Sequence, residues 1–294
     1  MKQYFEDTNK NSYFEGWYFK LQGPEESVAF IPSFHRSETG DTFAMVQMIT
    51  ETFSHAFYFP SSMFMAKRDE LFIQVGANIF SKDGISLSLC DSQYAVYGNV
   101  RFSGFTQLSG DIMGPFKHFP FMQCSHGVIS MRHNLTGNIY INGVTVTLNH
   151  GTGYIEKDRG TSFPETYLWT QYNRLDLGIM ISAATIPFMG TKFNGCIAYI
   201  YRNGKEYRIA TYKGARIKYM APDEIMIKQK QYTLRACAPN VGGSQLHAPE
   251  KGQMTRTITE SLSCEVNYQL YKKDQLIMDV RAENASFEYS ATNL

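Results

Sequence analysis

From Leu262 to Leu270 every second residue is apolar. Leu262, Cys264, Val266, Tyr268 and Leu270 point one way, and Ser263, Glu265, Asn267 and Gln269 the other. A period of two is the mark of a strand with one face in a core; a helix would scatter the same residues around its axis. Period-2 patterns recur along the whole chain, and no long amphipathic helical pattern interrupts them. Asp83-Gly84, Asn142-Gly143 and Asn203-Gly204 sit between such runs, where positive-φ residues make tight hairpin turns. Many short strands with regular turn signals predict an all-β chain of barrel type. The expectation is roughly ten strands before Gly160 and about eight after it, in two tandem antiparallel barrels covering 1–160 and 161–294. With 21 Phe and 19 Tyr the chain is suited to strands and to apolar cavities, and barrels of ~8 strands can hold one small ligand.

Charge and motif content exclude several function classes. There are 28 basic and 27 acidic residues, so nothing favours nucleic acid as a partner. No apolar run is long enough to span a bilayer, so no integral membrane segment is expected. The N-terminus is polar and lacks a signal-peptide core. Five scattered cysteines without Cys-x-x-Cys suit reduced thiols. A cytoplasmic location is therefore expected. No P-loop, dinucleotide fingerprint, Gly-x-Ser-x-Gly or His-Glu-x-x-His occurs. His118, His126, His133 and His150 match no compact ligand spacing. Neither a metal nor a cofactor is expected.

Only two Trp are present, each in a dense segment. In Tyr13–Leu21, Glu15, Trp17 and Phe19 share one strand face, and Phe14, Tyr18 and Lys20 the other. In His150–Asn173, Gly153–Lys157 reads as a strand and Asp158–Pro164 as a loop. Tyr167, Trp169, Gln171 and Asn173 then share one face of the next strand. Two rings followed by two amides suit a ligand cavity, or a polar barrel end. Glu15 is either a catalytic acid or the partner of a neighbouring Lys or Arg. Glu156 and Asp158 are either catalytic or a salt-bridged turn with Lys157 and Arg159. Gly110–His126 is a flap over a pocket or a plug of its own barrel, and Pro239–Gly252 reads as a loop. The alternation carried back from Leu262 turns Glu260 inward, where a carboxylate needs a partner; Arg256 is the one expected.

Phe14-Glu-Gly-Trp-Tyr-Phe-Lys20, Glu156-Lys-Asp-Arg-Gly160, Phe163-Pro164 and Trp169-x-Gln171-x-Asn173 together resemble the tocopherol cyclase family. Its wider two-barrel, lipocalin-like relatives include carotenoid hydratases. The family usually has Trp where this chain has Arg159, and again where it has Tyr167. The resemblance implies two lipocalin-like barrels and a cofactor-independent enzyme of isomerase or hydro-lyase type. Such an enzyme protonates an alkene in a hydrophobic isoprenoid-type substrate and then closes a ring or adds water. The expected acids are Glu15, Glu156 and Asp158, with Glu260 a further candidate. Trp17, Tyr167, Trp169, Gln171 and Asn173 are the expected substrate-binding residues, Trp17 and Trp169 lining one cavity. The alternative is a non-catalytic carrier of a lipid or isoprenoid, or barrels filled by their own side chains. The expected partner is a hydrophobic small molecule, with peripheral membrane contact left open.

Overall fold

The computed structural model describes residues 4–119, 122–174, 176–188 and 190–291. Twelve described strands form the first sheet: β1 (Tyr13–Gln22), β2 (Ser27–Arg36), β3 (Thr42–Thr50), β4 (Ser54–Pro60), β5 (Phe64–Ala66), β6 (Phe72–Val75), β7 (Asn78–Ser81), β8 (Gly84–Cys90), β9 (Ala95–Thr106), β10 (Cys124–Ile141), β11 (Val144–Thr147) and β12 (Thr152–Gly160). Ten form the second: β13 (Thr166–Arg174), β14 (Leu177–Phe188), β15 (Thr191–Arg202), β16 (Lys205–Ala210), β17 (Arg216–Ala221), β18 (Glu224–Gln229), β19 (Tyr232–Cys237), β20 (Ser244–Glu250), β21 (Gln253–Lys272) and β22 (Gln275–Ala291). The only described helices are three short 3₁₀ segments, none long and apolar enough to cross a membrane. The fold is all-β with two antiparallel barrel-like sheets in tandem, as the alternation predicts.

Both sheets are wired alike. The order in the first is β4-β3-β2-β1-β12-β10-β9-β8-β7-β6-β5, and in the second β16-β15-β14-β13-β22-β21-β19-β18-β17. In each, four strands meander outward and the remainder return to the far side of the first strand. Each sheet curls on its own core. Phe57 of β4 and Ile73 of β6, near opposite edges, share the first core with Trp17, Phe19 and Phe30. Ile209 of β16 and Ile225 of β18 likewise share the second with Leu168, Val266 and Phe287. Two of the three expected turns hold, Asn142-Gly143 and Asn203-Gly204 taking positive φ at both residues; the hairpin expected at Asp83-Gly84 turns instead at Lys82-Asp83, and Gly84 opens β8 opposite Ser81.

A third apolar cluster joins the two sheets, with Tyr18, Tyr154, Met131, Trp169, Met180, Tyr199, Ile258 and Leu262 among its members. Strands β1, β12 and β13 are therefore buried on both faces along most of their length. Odd-numbered residues of β1 and β12 enter the first barrel, and even-numbered ones face the second sheet. In β13 the parity reverses, with Leu168 and Tyr172 in the second core and Trp169 against the first sheet.

Three local expectations are corrected. Asp158 is not in a loop: β12 runs on to Gly160 because β1 and β10 flank it on either side up to that residue. Pro239–Gly252 contains β20, which pairs along β21. The alternation of β21 breaks at a bulge between Ser261 and Cys264. Leu262 thus joins the inter-sheet cluster while Cys264, Val266, Tyr268 and Leu270 enter the second barrel.

Candidate active site

Between the sheets lies a cavity of about 180 Å³. Its apolar wall includes Phe14, Tyr18, Ile31, Phe116, Phe163, Tyr167, Trp169 and Ile258. Four carboxyl groups also reach it: Glu156, Asp158, Glu260 and Glu288. Carboxyls on an apolar wall are uncommon unless they are paired or serve chemistry.

Glu156 and Asp158 share the cavity face of β12. Across the ladder His126 of β10 stands opposite Asp158, its Nδ1 2.8 Å from Asp158 Oδ1 and its Nε2 3.4 Å from Glu156 Oε2. Glu156 Oε2 also accepts hydrogen bonds from the Tyr154 hydroxyl at 2.6 Å and Trp169 Nε1–H at 3.1 Å. Burial raises the Glu156 carboxyl to about 7; the His126 charge opposes that rise and the Asp158 charge adds to it. Burial works against a proton on His126, but the Asp158 and Glu156 charges outweigh it and carry the imidazole to about 9. The Trp169 ring stands edge-on to Tyr18, centroids 5.4 Å apart.

Glu260 approaches from the second sheet. It is buried, and the Tyr18 hydroxyl donates to its Oε1 at 2.5 Å. Arg256 is not its partner. That guanidinium instead binds the carbonyl oxygens of Pro164 and Glu165 and the Ser290 hydroxyl, pinning the connection between the sheets. Four residues apart, Arg256 and Glu260 are separated by two pleats, ~13 Å along the strand, and Tyr18 from the facing sheet meets Glu260 instead.

The residues expected at the site divide into three groups. Glu156, Asp158, Tyr167 and Trp169 come together on the cavity wall. Gln171 and Asn173 lie on the same strand face but outside the wall; Gln171 Nε2–H donates to Asn173 Oδ1, and Asn173 Nδ2–H to the Gly153 carbonyl. They stitch β13 to β12. Glu15 and Trp17 belong elsewhere. Glu15 is paired with Lys157 and accepts hydrogen bonds from Tyr13 and the Glu6 backbone. The Trp17 indole packs on Phe5 and Phe64 in the first barrel. Their strand presents the opposite face, Phe14, Gly16 and Tyr18, to the cavity. Gly16 also fits its place, since an added Cβ would come within 3.3 Å of the Ser33 Cβ.

Tyr18, His126 and Glu288 were not singled out by the sequence. His126 stands two residues from Cys124 and carries no spacing signal. Glu288 alternates with Ala285, Phe287 and Tyr289, as a solvent-facing residue would. The segment 110–126 supplies Met113, Phe116, Met122 and His126 to the wall and is tied to the second sheet by Tyr212 and Arg208; Phe121 lies outside the described residues.

His126, Glu156 and Asp158 also present ligand atoms within 4.8 Å of one another, the only such trio among the described residues. Of these atoms His126 Nδ1 meets Asp158 and Glu156 Oε2 accepts from Tyr154 and Trp169, while His126 Nε2 is buried without a hydrogen-bond partner among the described residues. The five cysteines are free thiols.

No family model and no curated protein matches the sequence. Solved structures do match the fold. Kievitone hydratase from Nectria haematococca is 11% identical, with 96% of this chain and 90% of that one covered and a TM-score of 0.56. A putative AttH from Nitrosomonas europaea is 10% identical, covering 95% and 93%, at TM-score 0.57. CghA in complex with Sch210972 is 8% identical, covering 99% and 97%, at TM-score 0.59. At these identities the likeness is one of fold across nearly the whole chain.

Proposed function

We propose that the protein is a cofactor-independent acid–base enzyme that cyclises or hydrates a hydrophobic, isoprenoid-type substrate. Glu156 is the proton donor. The observation that carries this reading is one carboxyl, raised to about 7 by burial, on an aromatic cavity wall with donors already aimed at it. An acid is most effective when its pKa lies near the working pH. A protonated Glu156 delivers its proton to an alkene carbon. The carboxylate left behind is stabilised by Tyr154 O–H, Trp169 N–H and the adjacent His126 imidazolium. The faces of Trp169, Tyr18 and Tyr167 stabilise the tertiary cation. A phenol or water oxygen then closes on it. The resemblance to tocopherol cyclases supports the ring-closing form, and a neighbour in fold that is a hydratase supports water addition.

The test is turnover of prenylated hydroquinones and isoprenoid alkenes in D₂O, followed by mass spectrometry. Wild-type enzyme should place one deuterium on the former alkene carbon. Glu156→Gln should lower the rate by ~10²-fold or more. Full turnover by Glu156→Gln would remove Glu156 as the acid. Tight binding of these compounds without product or deuterium uptake would favour the carrier reading.

A further inference from the structure

Glu288 and Glu260 are directly opposed on the adjacent strands β22 and β21, and Trp169 of β13 is the next residue along the same row. All three side chains line the cavity. Opposed like charges on a sheet destabilise it, and two buried carboxyls at one site do not both ionise. Each has a single phenol donor: Tyr18 on Glu260, and Tyr167 on Glu288. Neither nearby cation forms a salt bridge with the pair among the described residues. Lys20 Nζ donates to the Asn284 carbonyl at 2.9 Å, and its charge favours the ionised form of Glu260 but is not among the groups acting on Glu288; Arg256 binds the connection between the sheets. From β12, Glu156 acts on both members of the pair and Asp158 on Glu288.

We propose that Glu260 and Glu288 form a carboxyl pair that holds one proton between them and accepts the proton released by the closing nucleophile. This rests on the proposed chemistry at Glu156 and supplies its missing half. Alkene protonation transfers one proton from Glu156 to carbon. The substrate or water oxygen then uses a lone pair to form the C–O bond. Its O–H bond breaks, the bonding electrons stay on oxygen, and the proton passes to the ionised member of the pair. The pair gains the proton that Glu156 lost, and exchange with solvent resets both. Acid and acceptor stand on different sheets, with the substrate between them. Burial also raises both groups: Glu260 to about 7 against the opposing Tyr18 hydrogen bond and Lys20 charge, and Glu288 well above the usual carboxylate range with the Glu260 charge adding to the rise.

The pair is tested first without substrate, by infrared titration of the protonated carboxyl band in the whole protein. Glu288→Gln and Glu260→Gln should each let the surviving carboxyl ionise at lower pH than in wild type, because the opposing charge is gone. Tyr167→Phe should move the titration to higher pH, because a donor to the carboxylate is lost. A band that titrates identically in wild type and both Gln variants overturns the shared proton. The second readout uses the D₂O assay. Either Gln variant should lose ~10²-fold in product formation yet still incorporate deuterium into recovered substrate, since protonation precedes proton release. Product formation at the wild-type rate in both variants overturns the acceptor role. Turnover retained by Glu156→Gln would instead refute the parent mechanism, whatever the infrared result.

Discussion

Replacing Glu15 by Gln should unfold the protein earlier without touching its chemistry. Glu15 is 0% exposed and Lys157, its ion-pair partner, 3%. Its oxygens also accept from the Tyr13 hydroxyl at 2.5 Å and from the Glu6 backbone N–H at 3.1 Å, which anchors the N-terminal arm. Gln removes the charge and leaves Lys157 facing the more distant Glu6 carboxylate at 4.0 Å. Removing one member of a buried pair costs ~3–5 kcal/mol, because the other charge stays buried. With both partners shielded, solvent screening does little to reduce that cost. An unfolding entropy of ~2.1 cal/mol/K per residue over 294 residues is ~0.6 kcal/mol/K, so Tm should fall by ~5–8 °C. Thermal unfolding followed by circular dichroism measures the shift, and turnover per folded molecule at a temperature well below Tm measures the chemistry. A Tm within about 2 °C of wild type would show that the pair does not anchor β1 to β12. Loss of turnover to match Glu156→Gln, with Tm unchanged, would return Glu15 to the catalytic set.

Two further outcomes follow from the same packing. Glu156 and Glu260 rise from an ordinary 4.5 to about 7 on folding; between those values the native chain holds protons that the unfolded chain has released. Their contribution is therefore fully present below about pH 4.5 and is lost as pH rises through about 7. His35 and His133, lowered by burial to about 3, act in the opposite sense up to about pH 6.5. Between pH 5 and pH 8 the urea midpoint of Glu260→Gln should therefore change with a less negative slope than that of wild type, and identical slopes would contradict the assignment. Gly153→Ala should destabilise by ~1–3 kcal/mol through overpacking, because the new Cβ would stand 2.1 Å from His133 Nε2, on a ring wedged between Phe102 and Phe105. An unchanged urea midpoint would mean that His133 has room to move.

The proposed chemistry depends on the sheets meeting through their first and last strands. Glu156 is delivered by the strand that ends the first sheet and Trp169 by the strand that begins the second, only five residues later in the chain. That short connection, clamped by Arg256, explains how a compact motif in sequence becomes one wall of the site.

The all-β class, the hairpins at Asn-Gly turns and the cavity face of β13 were legible in the sequence, because each depends on neighbours within a few residues. Turn residues set local φ, and alternation sorts side chains into two sets. Alternation does not say which set faces which environment when both are buried. On β1 both faces are apolar, so Trp17 and Glu15 were grouped with the cavity when Tyr18 and Phe14 are the ones that line it. On β21 a bulge between Ser261 and Cys264 turns Glu260 and Leu262 toward the first sheet instead of the second barrel, so the partner of Glu260 is Tyr18, 242 positions away, and not Arg256 on its own strand. Glu288 reads as an outward residue and becomes a cavity carboxyl only because the first sheet covers it. Local backbone preference is encoded within a few residues; which buried face meets a partner sheet, and which carboxyl loses its water there, is decided by packing between segments far apart in the chain.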